Sequence, residues 1–211
     1  MEIINIRQFM NVIKYKVFLS ALLLMLMSSC GLDLQTDYDY RPSVDDPHIQ
    51  MTVWEYVSKN QDDFSIFQEA ITYVGLEDYY RQSACKYTFL LLNNAAMRAY
   101  MGDVFPGVQS ISECDSVIVK KMLLYHIVDG EYSSYGQLDV EPRYVITMLS
   151  GEEGLMTMSV WKNPWQTAVG KVLVNQTGSN EKSPQRNAKT SNIMAINGVI
   201  HIFENYCYFR K

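Results

Sequence analysis

The chain has 211 residues, a formal net charge of -5 and a sequence pI near 5.2. At 48% hydrophobic and 19% charged it is neither a disordered acidic tail nor a basic nucleic-acid binder, and 11 glycines and six prolines exclude a collagen-like or linker composition. The four cysteines, Cys30, Cys85, Cys114 and Cys207, form no CxxC pair, and three histidines leave few ways to build a metal centre.

Residues 1–29 read as an export signal. Arg7, Lys14 and Lys16 form its basic head, and Val17 to Met27 is an apolar run of 11 residues, shorter than the ~20 that span a bilayer. Leu26-Met27-Ser28-Ser29-Cys30 resembles a bacterial lipobox, in which the signal is cut ahead of a cysteine that then carries lipid. Loss of residues 1–29 removes three basic residues and one acid, leaving 15 against 22, a net of -7. So acidic a chain is repelled by nucleic-acid backbones and anionic lipid headgroups. Residues 30–51 read as a spacer: Pro42 and Pro47 stop helices, and Asp33, Asp37, Asp39, Asp45 and Asp46 make it acidic. An acidic stretch behind a lipidated cysteine resembles the surface-export signal of some Gram-negative lipoproteins. The expected location is therefore the outer membrane, lipid-anchored and facing outward.

The globular part is expected over residues 52–211. Phe64, Phe67, Ile71 and Val74 form one helical stripe, with Asp62 or Asp63 as its cap and Gly75-Leu76 as its stop. Tyr87 to Leu92 fits a strand buried on both faces, and Asn93 caps a second helix through Tyr100. A third helix covers Ser116 to His126, with Val119, Met122, Leu123 and His126 on one face. Thr147, Leu149, Met156, Met158 and Val160 suggest strands, as does Lys171 to Asn175, whereas Gln176 to Thr190 reads as a polar loop. Asn197-Gly198 predicts a two-residue hairpin turn pairing Ile196 with Val199, Ala195 with Ile200, Met194 with His201 and Ile193 with Ile202. The fold class is α+β.

Thr52-Val53-Trp54-Glu55-Tyr56, Thr88 to Ala95, Leu123-Leu124-Tyr125-His126-Ile127-Val128-Asp129-Gly130, Ser191-Asn192-Ile193 and Asn197 to Ile202 resemble, in order, the motifs of a fasciclin-like domain. The resemblance spans about residues 52–207 and implies helices packed on a β-sheet wedge. It also implies a non-enzymatic adhesion or interaction module. Its Tyr-His segment is linked to adhesion, which would make Tyr125 and His126 contact residues. Their apolar neighbours favour a scaffold role instead, and Asn197, Gly198 and His201 are read as structural in the same way.

No cofactor, metal or nucleic acid is expected, since HxH, HExxH and GxSxG spacings are absent. His48 should be solvated in the spacer. Asp129, Glu152 and Glu153 could be imagined as glycosidase acids, but acids beside turn glycines are usually solvated. With Cys30 lipidated, Cys85, Cys114 and Cys207 allow one disulfide of unassigned connectivity. Asp115-Ser116-Val117 fits a short O-glycosylation consensus of exported bacterial proteins, or simply caps the following helix. Two functions fit: an adhesion module with a protein or glycan partner, and an accessory glycan-binding lipoprotein of a polysaccharide-uptake system. In either case Trp161 and Trp165, flanking the turn Lys162-Asn163-Pro164, are the candidate ligand-binding residues, because both indoles cannot be assumed to reach the core.

Overall fold

The computed structural model describes residues 10–11, 13–20, 46–165, 170–180 and 183–208. Arg7, the lipobox with Cys30, and the spacer as far as Asp45 lie outside the described residues. Residues 1–45 and 46–211 form separate units. In the first, residues 13–20 are helical, and no helix among the described residues is long and apolar enough to cross a membrane.

The second unit runs α1 (Val53–Lys59), α2 (Gln61–Val74), α3 (Glu77–Arg81), β1 (Tyr87–Leu92), α4 (Asn94–Val104), a 3-10 turn (Ile111–Glu113), α5 (Ser116–Tyr125), β2 (Ile127–Asp129) and β3 (Arg143–Ile146). A second 3-10 turn (Glu152–Gly154) then leads into β4 (Leu155–Trp161), β5 (Lys171–Val174), β6 (Arg186–Asn187), β7 (Thr190–Ala195) and β8 (Gly198–Phe203). Among the described residues the strands form two sheets, ordered β2-β1-β8-β7 and β3-β4-β5-β6. The fold is α+β.

Local chemistry explains the helix ends. Thr52 and Glu55 form a reciprocal capping box at the start of α1. Asn93 accepts from the Ala96 N–H to start α4, and Asp115 accepts from Val117 and Ile118 to start α5. At the end of α2, Gly75 takes the left-handed conformation (φ 68°), and the Leu76 N–H returns to the Ile71 carbonyl as a Schellman motif requires. The cap of α2 is Asn60 rather than Asp62 or Asp63. Those two acids sit in the first turn, where the helix dipole favours them.

All six residues of β1 are buried. The strand lies between β2, antiparallel, and β8, parallel with Tyr87 opposite Gly198 and Leu92 opposite Phe203. Burying such large apolar side chains stabilises the fold by roughly 1.5–3 kcal/mol each. Helix α2 supplies Phe64, Phe67 and Ile71 to the same core, and α5 supplies Val119, Met122 and Leu123.

Three expectations require correction. The β7–β8 pairing is Ile193 with Ile200, Met194 with Val199 and Ala195 with Gly198, so each partner lies two residues from the expected one. The turn residues are Ile196 and Asn197, because Gly198 is paired with Ala195 on one side and Tyr87 of β1 on the other and so opens β8, while the Asn197 side chain is held from outside the hairpin. The stretch from Gln176 to Thr190 is not all loop, since β6 extends the second sheet and Thr190 opens β7. Finally, residues 46–51 belong to the folded unit rather than the spacer. Ile49 donates to the Met194 carbonyl at 2.8 Å, Met194 to Pro47 at 2.8 Å and Ile196 to Met51 at 3.0 Å, so this segment straps the edge of β7.

Candidate functional site

Two histidines brace the fold from inside. His126, the C-cap of α5, is buried, with Nδ1 2.7 Å from the Met122 carbonyl and Nε2 accepting the Cys207 N–H at 3.1 Å. A carbonyl only accepts and an amide only donates, so the proton sits on Nδ1. His201 on β8 is the mirror case: Nε2 donates to the Tyr132 carbonyl at 2.8 Å and Nδ1 accepts from the Asn192 N–H at 3.2 Å. Burial lowers the pKa of each from 6.5 to about 4. Tyr125 is also buried; its hydroxyl donates to Asn175 Oδ1 at 2.9 Å and lies 3.1 Å from the Leu155 carbonyl. Burial pushes that phenol's pKa up. In the structure the Tyr-His pair therefore faces inward.

Three asparagines complete the frame. Asn197 accepts from the Val53 N–H and donates to the Tyr80 carbonyl, both at 2.9 Å, tying the β7–β8 turn to α1 and α3. Asn175 and Asn192 both take positive φ, 59° and 65°. Asn175 donates to the Cys207 carbonyl at 2.9 Å, and Asn192 clasps Ser134 through its N–H and hydroxyl. Sequence reading missed Asn175 in this role. Its signal was an asparagine directly behind a strand, where side-chain bonds to backbone support a left-handed turn.

The remaining candidates are dispersed. His48 is exposed, with Nδ1 2.6 Å from Asp46, whose carboxyl its backbone N–H and ring hold below the usual range. Glu153 is paired with Lys121 at 2.7 Å, whereas Asp129 and Glu152 are exposed. Cys85, Cys114 and Cys207 are unpaired, and burial raises the thiol pKa of the last two. Asp115 is a helix cap, with Ser116 exposed beside it. Among the described residues no group of three or more His, Cys, Asp and Glu converges as a metal site. A hollow of about 450 Å³ over α2 is lined by Ser65, Glu69, Tyr73 and Ser112 among others. One of about 140 Å³ lies between the β2–β3 connection and the end of β4, with Asp139, Val160, Lys162 and Gly170 in its wall.

The outer face of the second sheet is different. Pairing places Ile146 opposite Leu155, Tyr144 opposite Thr157, Leu173 opposite Ser159 and Lys171 opposite Trp161, all on one face by strand alternation. The turn after β5 covers the middle: Thr157 donates to the Thr177 carbonyl and Ser159 to Gln176, and both are buried. The ends stay open. Tyr144 and Ile146 are 63% and 73% exposed at one, and Trp161 is 55% exposed at the other. Trp165, on the loop leaving β4, is 91% exposed, with its N–H on the Asn163 side chain at 3.1 Å. Both indoles reach solvent. The sequence carried no comparable signal for Tyr144 and Ile146, because which face of β3 is covered depends on the distant turn after β5.

This architecture, with its inward Tyr-His junction and a hairpin turn pinned by a buried asparagine, defines a fasciclin-type α+β module. The Fasciclin domain model matches residues 62–206, and the chain belongs to that family. No curated protein matches the chain. Among solved structures, a FAS1 domain pair from the insect cell adhesion molecule Fasciclin I is similar at a TM-score of 0.56 and 14% identity. The match covers 75% of this chain and 51% of that one, so the chain spans about half the length of that structure. The likeness is one of fold.

Proposed function

We propose that the protein is a lipid-anchored, surface-exposed adhesion or interaction module of the outer membrane. Cys30 is its attachment point, and the Trp161–Trp165 end of the second sheet is its contact for a protein or glycan partner, without catalysis. The observation that carries the contact site is the exposure of both indoles, 55% and 91%, within five residues of each other at one end of the second sheet. Aromatic anchors of this kind dominate the energetics of recognition surfaces. The same pair also suits the alternative, an accessory glycan-binding lipoprotein of a polysaccharide-uptake system, because indole faces stack on sugar rings.

Two substitutions test the reading. Cys30→Ala should move the protein from the membrane to the soluble fraction; a variant still membrane-bound after signal cleavage would refute the anchor. Trp165→Ala should leave the melting temperature unchanged, as an exposed side chain affects stability by only about 0.5 kcal/mol. It should weaken binding to a glycan array or to whole cells roughly tenfold or more. Full retention of binding removes Trp165 from the contact.

A further inference from the structure

The β4–β5 hairpin is acid-free in an acidic chain. From Gly154 to Asn180 there is no Asp or Glu in 27 residues, where the composition of 23 acids in 211 would place about three. The same stretch holds Lys162 and Lys171. Lys171 is directly opposite Trp161 in the β4–β5 register, so the two side chains share the outer face. Lys162 follows Trp161 at the mouth of the loop carrying Trp165, and both lysines are exposed. Neither is in an ion pair among the described residues, whereas Lys86, Lys121 and Lys189 elsewhere each face a glutamate. Gly170 fixes the geometry: a Cβ there would lie 2.1 Å from the Trp161 carbonyl, so the chain entering β5 runs hard against the end of β4 and holds Lys171 at Trp161.

We infer that this hairpin end binds an anionic polysaccharide, a polyuronate in chemical class. The inference rests on the proposed contact role of Trp161 and Trp165. Indole faces stack on the C–H faces of sugar rings, and the unpaired ammonium groups meet the carboxylates that recur along a polyuronate. The net negative charge of the rest of the chain disfavours such a polymer elsewhere, and at the tip itself Asp139 is, among the described residues, the one acid lining the hollow beside Lys162. A neutral glycan would use the indoles but not the lysines. A lipid surface fits less well, because Trp165 follows the polar pair Lys162-Asn163, whose amide oxygen accepts the Trp165 backbone N–H, rather than an apolar run.

The test uses the full-length protein in a zwitterionic detergent, with tryptophan fluorescence and affinity electrophoresis as readouts. The probes are polygalacturonate, alginate and hyaluronan, together with fully methyl-esterified polygalacturonate as the uncharged match. At least one polyuronate should bind, and esterification or 0.5 M salt should abolish binding. The double variant Lys162→Gln/Lys171→Gln should weaken it roughly tenfold or more at unchanged melting temperature. Equal binding of the esterified polymer, with no effect of the lysine variant, overturns the anionic assignment and leaves the tryptophan contact standing. Failure of every polymer overturns the inference. So does a tryptophan blue shift with phosphatidylglycerol micelles in place of polymer binding, and that result reassigns the tip to a lipid surface.

Discussion

Acidification from pH 6.5 to pH 4 should strip this domain of much of its stability, because two interior histidines cannot accept a proton without losing a partner. Each ring of His126 and His201 gives its one N–H to a carbonyl and uses its bare nitrogen to accept a backbone amide. A second proton would face that amide's own hydrogen in a buried site. The folded-state values near 4 lie below the unfolded value of 6.5, so between these limits the unfolded chain takes up protons that the native chain refuses. Stability therefore rises with pH across this window and is lost as pH falls through it, by about 3 kcal/mol per histidine at 1.36 kcal/mol per unit. Urea titrations at pH 7.5 and pH 4.5 read the effect directly. His201→Gln should be less stable than wild type at pH 7.5 yet show a shallower pH dependence, and His126→Ala should lose roughly 1–3 kcal/mol at neutral pH. A wild-type stability that stays flat from pH 7 to pH 4.5 would mean the imidazoles are not held as described.

Gly198→Ala is expected to be strongly destabilising for a change of one methyl group. Gly198 has a φ of 149°, and a Cβ there would sit 1.9 Å from the Tyr87 carbonyl oxygen, which belongs to β1. The obstacle is backbone, so relief requires moving the strand on which the first sheet is centred. Overpacking and backbone strain together should cost about 3 kcal/mol or more. Gly102, inside α4 with nothing within 4 Å of its ideal Cβ, is the matched control. Gly102→Ala should stabilise by up to about 1 kcal/mol, since alanine is the better helix former. Urea midpoints decide both, and a Gly198→Ala loss under about 1 kcal/mol would contradict the close approach of β8 to β1.

What could be read in advance depended on how locally each feature is determined. Tyr87 to Leu92 announced a strand buried on both faces, because a continuous apolar run between turn residues has few other uses. Asn93 and Asp115 announced helix starts through chemistry that spans three residues. Elements without a period stayed hidden: α3 is five residues, β2 three and β6 two. The β7–β8 register was misjudged for a long-range reason. Asn197-Gly198 has the composition of a free hairpin turn, but Asn197 is committed to Val53 and Tyr80, 144 and 117 residues away. At the candidate site, the turn between Trp161 and Trp165 was visible. The lysine facing Trp161 was not, because it is placed there by strand pairing.

The strap at residues 46–51 has a mechanical consequence. Tension arriving along the chain from ahead of Asp46 meets the bonds of Pro47, Ile49 and Met51 to β7 before it reaches the capping box of α1. Those bonds are worth about 1 kcal/mol each, and they hold a segment exposed or half-buried at every position. Peeling them away releases six residues, about 20 Å of extended chain, while the β1–β8 core stays loaded only through the intact helix behind. The domain therefore carries its own short extensible leader, which gives way along the edge of β7 before the first helix is loaded.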